Sequence, residues 1–248
     1  MKKIISLLVL LFIVLKINSQ TINYPPQSID FSKIDFSFLN FEQFTFGLKV
    51  SPSINWLKVN HNDLQADGAA LKFGIGGIAD YAILENISVV SGINYNSFGG
   101  YVFDDKSLND PTTKDNFKLN YSQLEIPLCI KFKTTESNKM SYFIQGGLNT
   151  GFLLTATEKH DKIIKNTPSN STKIYDLTNP SRIGYQLSVG SEFYISKKLK
   201  FYSEICYKNA FSKSNLAISD NYISSGIYTS PIEILPGTME FSIGLLFK

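Results

Sequence analysis

Gln123-Leu124-Glu125-Ile126-Pro127-Leu128-Cys129-Ile130-Lys131-Phe132-Lys133 is the stretch that decides the fold. Leu124, Ile126, Leu128, Ile130 and Phe132 alternate with Gln123, Glu125, Cys129, Lys131 and Lys133. A period of two sorts residues onto two faces only if the backbone is extended, so this is a strand with one bulky apolar face and one polar, charged face. Upstream, Phe44, Phe46, Leu48, Val50, Ile54 and Trp56 alternate with Thr45, Gly47, Lys49, Ser51, Ser53 and Asn55. The pattern returns at residues 71–83, 87–96, 140–154, 183–195, 201–208 and 239–248. Eight strands are therefore predicted, each of about ten residues, the length that crosses a bilayer at a tilt.

The connections between them alternate in length. Short turns at 84–86, 134–139 and 196–198 follow strands two, four and six. Long polar stretches near 58–70, 98–119, 157–181 and 210–237 follow the odd-numbered strands. Outer-membrane barrels have short periplasmic turns and longer external loops, so this rhythm predicts an all-β, eight-stranded, antiparallel up-and-down transmembrane β-barrel with both termini in the periplasm. No later segment has the run of about 20 apolar residues that a membrane helix needs.

The N-terminus adds an address. Lys2 and Lys3 precede an apolar run from Ile4 to Leu15, then Lys16, and Ser19 stands before Gln20. This reads as a secretory signal peptide over 1–19, with an uncleaved anchor as the alternative. Residues 20–43 form a lead-in rich in Phe31, Phe36, Phe38 and Phe41, placed in the periplasm, and 44–248 form the barrel domain. The signal holds Lys2, Lys3 and Lys16 and no acid, so removing it turns 24 basic residues into 21 against 21 acidic ones. The net charge of +3 belongs to the signal, and the mature chain has no electrostatic reason to bind nucleic acid.

Periodicity does not say which face points inward, and a soluble lipocalin-like barrel inverts the same alternation. Here the bulky Phe, Tyr, Ile and Leu share one face, while Gly, Ser and charges share the other; the first suits lipid and the second a narrow lumen. The lumen set comprises Lys49, Lys72, Asp80, Glu125, Lys131, Arg182, Glu192, Lys200, Glu204, Lys208 and Glu240. Buried charges are tolerated when paired, so this set is read as a structural ion-pair network that plugs the barrel rather than as a conduction path.

Other candidates carry less. His61 lies near Asp63 and His160 beside Asp161, both in expected external loops, and the bland reading is a solvated loop histidine. Gly74, Gly76 and Gly77 lack a following helix that could cradle a phosphate. Cys129 and Cys206 face the lumen at different heights on strands four and seven, so two unpaired thiols are expected, since a disulfide needs Cα atoms within about 7 Å.

The strand Tyr121-Ser122-Gln123-Leu124-Glu125-Ile126-Pro127-Leu128, the Gly-rich strands at 74–77 and 146–151, and the end Phe241-Ser242-Ile243-Gly244-Leu245-Leu246-Phe247-Lys248 together resemble the PorT-like outer-membrane β-barrel proteins of the Bacteroidetes lineage, often called porin-family proteins. The resemblance runs from about Phe44 to the C-terminus. It implies an outer-membrane barrel without a single family activity, and members near the founding protein are linked to assembly of a secretion system. The expected function is a non-enzymatic outer-membrane barrel with a structural, binding or secretion-assembly role, without cofactor or metal. Its expected partners are outer-membrane lipid and a periplasmic or secretion-system protein. The alternatives are an outer-membrane enzyme with a loop-borne site and a soluble periplasmic ligand carrier.

Overall fold

The computed structural model describes residues 41–60, 64–104, 115–162, 171–173, 181–211, 214–216 and 232–248. The expected signal peptide, nearly all of the lead-in, His61, Asp63 and the tips of the long connections lie outside the described residues. The chain divides into two compact units, Met1–Gln43 and Phe44–Lys248. Of the first, Phe41–Gln43 is described, as one turn of 3-10 helix.

The second unit is a closed barrel. Its long strands are β1 (Phe44–Asn60), β2 (Ala69–Leu84), β3 (Ile87–Asp104), β4 (Asp115–Lys133), β5 (Met140–Lys162), β6 (Ser181–Tyr194), β7 (Leu199–Ala210) and β8 (Ile232–Phe247). Each pairs antiparallel with its successor, and β8 pairs back onto β1 from Phe46↔Phe247 to Asn60↔Glu233. Closure gives every long strand a paired neighbour on both sides, which is the condition for crossing a membrane with strands. Three further strands, Leu64–Ala66, Ser171–Lys173 and Ser214–Leu216, pair with the outer ends of β3, β5 and β8.

Several of these strands run well past ten residues. Residues placed in loops from the sequence continue the ladder, so β3 reaches Asp104, β4 begins at Asp115 and β5 runs to Lys162. His160 therefore lies on β5, opposite Phe117, and not in a loop. The reason is that backbone pairing in a hairpin continues where the bulky residues change face, as Leu119 and Tyr121 do by turning into the lumen, and where the side chains become polar, as at the end of β5, so neither change marks the end of the ladder.

The short connections have defined chemistry. Asn138 and Lys139 both have positive φ (51° and 62°) between Ser137 and Met140, which exchange backbone hydrogen bonds. This is a two-residue turn whose twist matches that of the strands. In the turn after β6, Ser196 Oγ accepts hydrogen bonds from the N–H groups of Lys198 and Leu199 at 3.3 and 3.1 Å.

Of the three prolines inside the described strands, Pro52, Pro127 and Pro236, the first two leave matching marks. Pro127 has no N–H, and the β3–β4 register passes from Ser91↔Leu128 to Asn94↔Glu125. Ser91 Oγ donates to the Pro127 carbonyl at 2.8 Å in this interval. Around Pro52 the β1–β8 register passes from Val50↔Ile243 to Ser53↔Glu240, and the hydroxyls of Ser51 and Ser242 meet at 2.9 Å. A shift between Ser122/Gln123 leaves Leu154 as an extra residue on β5, so Leu153 and Ala156 both point inward.

Exposure settles the orientation of the two faces. Leu48, Leu71, Ile93, Ile144 and Leu187 face outward, with Leu71 79% exposed, while Glu192 and Ser242 on the opposite face are 1% and 0% exposed. An outer surface of Leu, Ile and Phe around a core of Ser, Asn, Glu and Lys is inside-out for a water-soluble protein and right for one immersed in lipid.

Candidate functional site

The lumen is built in layers, and the register determines what meets what. Nearest the long connections, Leu57, Phe98, Val102, Leu119, Tyr121 and Ile234 form a buried apolar layer. Leu57 on β1 packs against Gly100 on β3, where a Cβ would lie 2.8 Å from Leu57 Cγ, so only a glycine lets the wall close in this far. Phe98 and Tyr121 stack at 4.8 Å, and the Arg182 guanidinium lies 4.4 Å from the centre of the Phe98 ring.

Below Arg182 comes a first group of charges. Arg182 reaches Glu125 at 3.4 Å, and Glu125 also receives Lys208 at 2.9 Å. Lys208 bridges to Glu240 at 2.6 Å, and Glu240 holds Lys49 at 2.9 Å. Lys49 lies 3.8 Å from Glu204, which is hydrogen-bonded by Gln145 and Tyr202. Three bases and three acids thus form one chain across the barrel, and its formal charge sums to zero.

An apolar layer follows, formed by Ile78, Val90, Cys129, Phe143, Tyr202 and Leu246. Phe143 and Tyr202 stack at 5.6 Å with 10° between their planes. On the far side of Phe143, the Lys131 ammonium lies 5.0 Å from the ring centre. Lys131 pairs with Asp80 and with Glu192 at 2.6 Å, and Glu192 takes Lys200 at 2.9 Å. This second group holds two bases and two acids and is also neutral.

Of the eleven lumen charges named from the sequence, these two groups bring ten together. Lys72 is the exception: its ammonium donates to Asn120 Oδ1 at 2.6 Å and has no carboxylate partner among the described residues. The apolar layers were not anticipated. Phe143 and Tyr202 have lumen parity in sequence, each between residues of the opposite face, although bulk by itself marks the lipid side. Their signal was position, not size.

Cys129 and Cys206 are free and buried, as expected. Gln186 Nε2 donates to Cys129 Sγ at 3.0 Å. Among the described residues, no group of three or more His, Cys, Asp or Glu is placed to hold a metal ion.

The outward face carries aromatic residues near both ends. Toward the long connections, Trp56, Tyr207, Tyr185 and Phe211 form successive contacts at 6.2, 6.2 and 5.1 Å. Toward the short turns, Phe46, Phe44 and Tyr81 do the same at 5.6 and 4.9 Å. Aromatic girdles around an apolar band are how a barrel meets the two bilayer interfaces. A closed eight-stranded wall with this outer surface and a polar, filled interior defines a transmembrane β-barrel of the outer-membrane class. The chain belongs to the outer membrane protein beta-barrel domain family, which it matches over residues 27–216, and its location is accordingly the outer membrane.

Among solved structures, the chain is similar to the outer membrane protein OprG from Pseudomonas aeruginosa (10% identity, 82% of this chain and 94% of that one, TM-score 0.49). It is also similar to Neisserial surface protein A (13% identity, 82% and 96%, TM-score 0.44). A third likeness is to the outer membrane protease OmpT from Escherichia coli (12% identity, 84% and 98%, TM-score 0.45). No protein with a curated description matches the chain.

Proposed function

We propose that this chain is a non-enzymatic outer-membrane barrel, closed to solutes by its own side chains, that serves a structural, binding or secretion-assembly role. The observation carrying this reading is the layered lumen: two ion-pair groups, each neutral, with the Phe143–Tyr202 layer between them and the Phe98–Tyr121 layer outside. An ion passing through must break charge pairs in a low-dielectric interior and then cross layers lined mainly by apolar side chains. Eight strands leave an interior that side chains can fill. The resemblance of the Leu124-Glu125-Ile126-Pro127-Leu128 strand to PorT-like proteins favours a periplasmic or secretion-system protein as the partner.

The reading places both termini in the periplasm. Its support is that the three short turns share one end of the barrel with Lys248, whose N–H bonds to the Lys198 carbonyl at 3.0 Å. Planar-bilayer recording tests the plug: the inserted protein should add no steady current above the lipid background. A large, sustained, ion-selective conductance would replace the plugged barrel with a channel.

A further inference from the structure

The outward face changes character on β3, β4 and β5 just beyond the apolar band. On β4, Leu124 is followed outward by Ser122, Asn120 and Lys118, which face Ser97, Gly99 and Tyr101 on β3. The Lys118 ammonium lies 5.5 Å from the centre of the Tyr101 ring, and the exposed Lys159 of β5 is its register partner on the other side. Lys72 reaches the same place from β2 by donating to Asn120 at 2.6 Å, across the intervening β3.

The wall is notched at this point. Residues 69–73 of β2 ladder with β1, but the β2–β3 ladder begins only at Gly74↔Asn96. Farther out the seam closes again, through Asp67 N–H to the Tyr101 carbonyl at 2.9 Å and the pairing of Leu64–Ala66 with β3. Gly99 adds no side chain beside the notch. Lys72 thus holds the Asn120 amide, Lys118 stands two residues along on the same face of β4, and neither lysine has a carboxylate partner among the described residues. Like charges held together are unfavourable unless an anion joins them.

We propose that the Lys72–Asn120–Lys118 notch binds a phosphate group carried by a glycolipid of the outer leaflet. Position selects the lipid-borne phosphate. Acyl chains lying along Leu124 and the exposed Phe73 bring a headgroup level with Asn120, where the two ammonium groups supply charge-assisted hydrogen bonds and Tyr101 a ring face. The assignment rests on the proposed orientation, in which the long connections face outward.

The test uses the folded full-length barrel in detergent micelles with purified lipid A, native mass spectrometry reporting the bound fraction. Wild type should bind phosphorylated lipid A about tenfold more tightly than the enzymatically dephosphorylated form, as befits a pair of charge-assisted contacts. The variant carrying Lys72→Ala with Lys118→Ala should lose that preference, and the one carrying Lys72→Arg with Lys118→Arg should keep it. Lys58→Ala, which removes an exposed lysine on β1, should leave it unchanged. Heat-modifiable gel migration reports that each variant is folded. Equal binding of the two lipid forms by wild type, an undiminished preference in the double alanine variant, or displacement by millimolar inorganic phosphate would each overturn the lipid-phosphate site. None of these readouts depends on conductance or topology, so they can fail without the proposed function failing.

Discussion

At the level of single residues, the lumen charges are unequal. Glu240 holds two ammonium groups, Lys208 at 2.6 Å and Lys49 at 2.9 Å, and is 2% exposed. Replacing it with Gln leaves both lysines short of a charge, so Glu240→Gln should destabilise the barrel by about 3 to 5 kcal/mol. Glu204 has a single cation, Lys49 at 3.8 Å, and is otherwise held by Gln145 and Tyr202; the carbonyl of a Gln can still accept from Gln145 while its amide donates to the Tyr202 hydroxyl. Glu204→Gln should cost distinctly less. Urea unfolding in lipid vesicles, followed by tryptophan fluorescence from Trp56, gives both values, and equal losses would contradict this division of roles. The sequence showed that charges of both signs face inward. It did not show that Lys72 turns away from them, because that depends on β2 parting from β3 beside it.

At the level of elements, strands β5 and β6 present Ile144 and Leu187 to lipid at 56% and 57% exposure. Arginine at either position should weaken folding into vesicles by about 2 to 4 kcal/mol if the site lies near the bilayer midplane. Comparable stability of both arginine variants and wild type would show that this face does not meet hydrocarbon. The β4–β5 turn makes a second, opposite prediction. Lys139 is held at φ 62°, where a side chain costs roughly 1 to 2 kcal/mol, so Lys139→Gly should stabilise the barrel by up to about 1 kcal/mol after the extra freedom of unfolded glycine is counted. A lower unfolding midpoint for this variant would argue against the turn geometry. Strand existence and facing were legible because alternation is a local property. Strand ends were not, since on β4 the alternation continues through Leu119 and Tyr121 with its bulky residues turned into the lumen, and a change of face looks in sequence like the end of a strand.

At the level of the whole molecule, topology and charge work together. The short turns carry Glu85, Ser137 and Lys197, and with Cys129 and Cys206 replaced, a cysteine at Ser137 should stay unlabelled by an impermeant thiol reagent on intact cells. Cysteines at Asn62 or Asp110, in the long connections, should be labelled. Strong labelling at Ser137 would invert the barrel. The ion-pair groups are neutral one by one, not merely in sum, so each can be buried without a counter-ion from outside. That property belongs to the assembled wall and to no strand alone.

The sequence by itself determined the strand number, the face each strand turns to lipid, and the up-and-down order. Each of these follows from side-chain period and connection length, which act between residues close in the chain. Only the tertiary structure decided which lysine meets which carboxylate. Lys49 and Glu240 stand 191 residues apart and meet because β8 closes onto β1 in one register. It also decided that Phe143 and Tyr202 stack inside and that Lys72 leaves the lumen. Both outcomes depend on strand stagger and on departures from regular pairing, and a slip of one residue would turn every side chain of a strand to the other face.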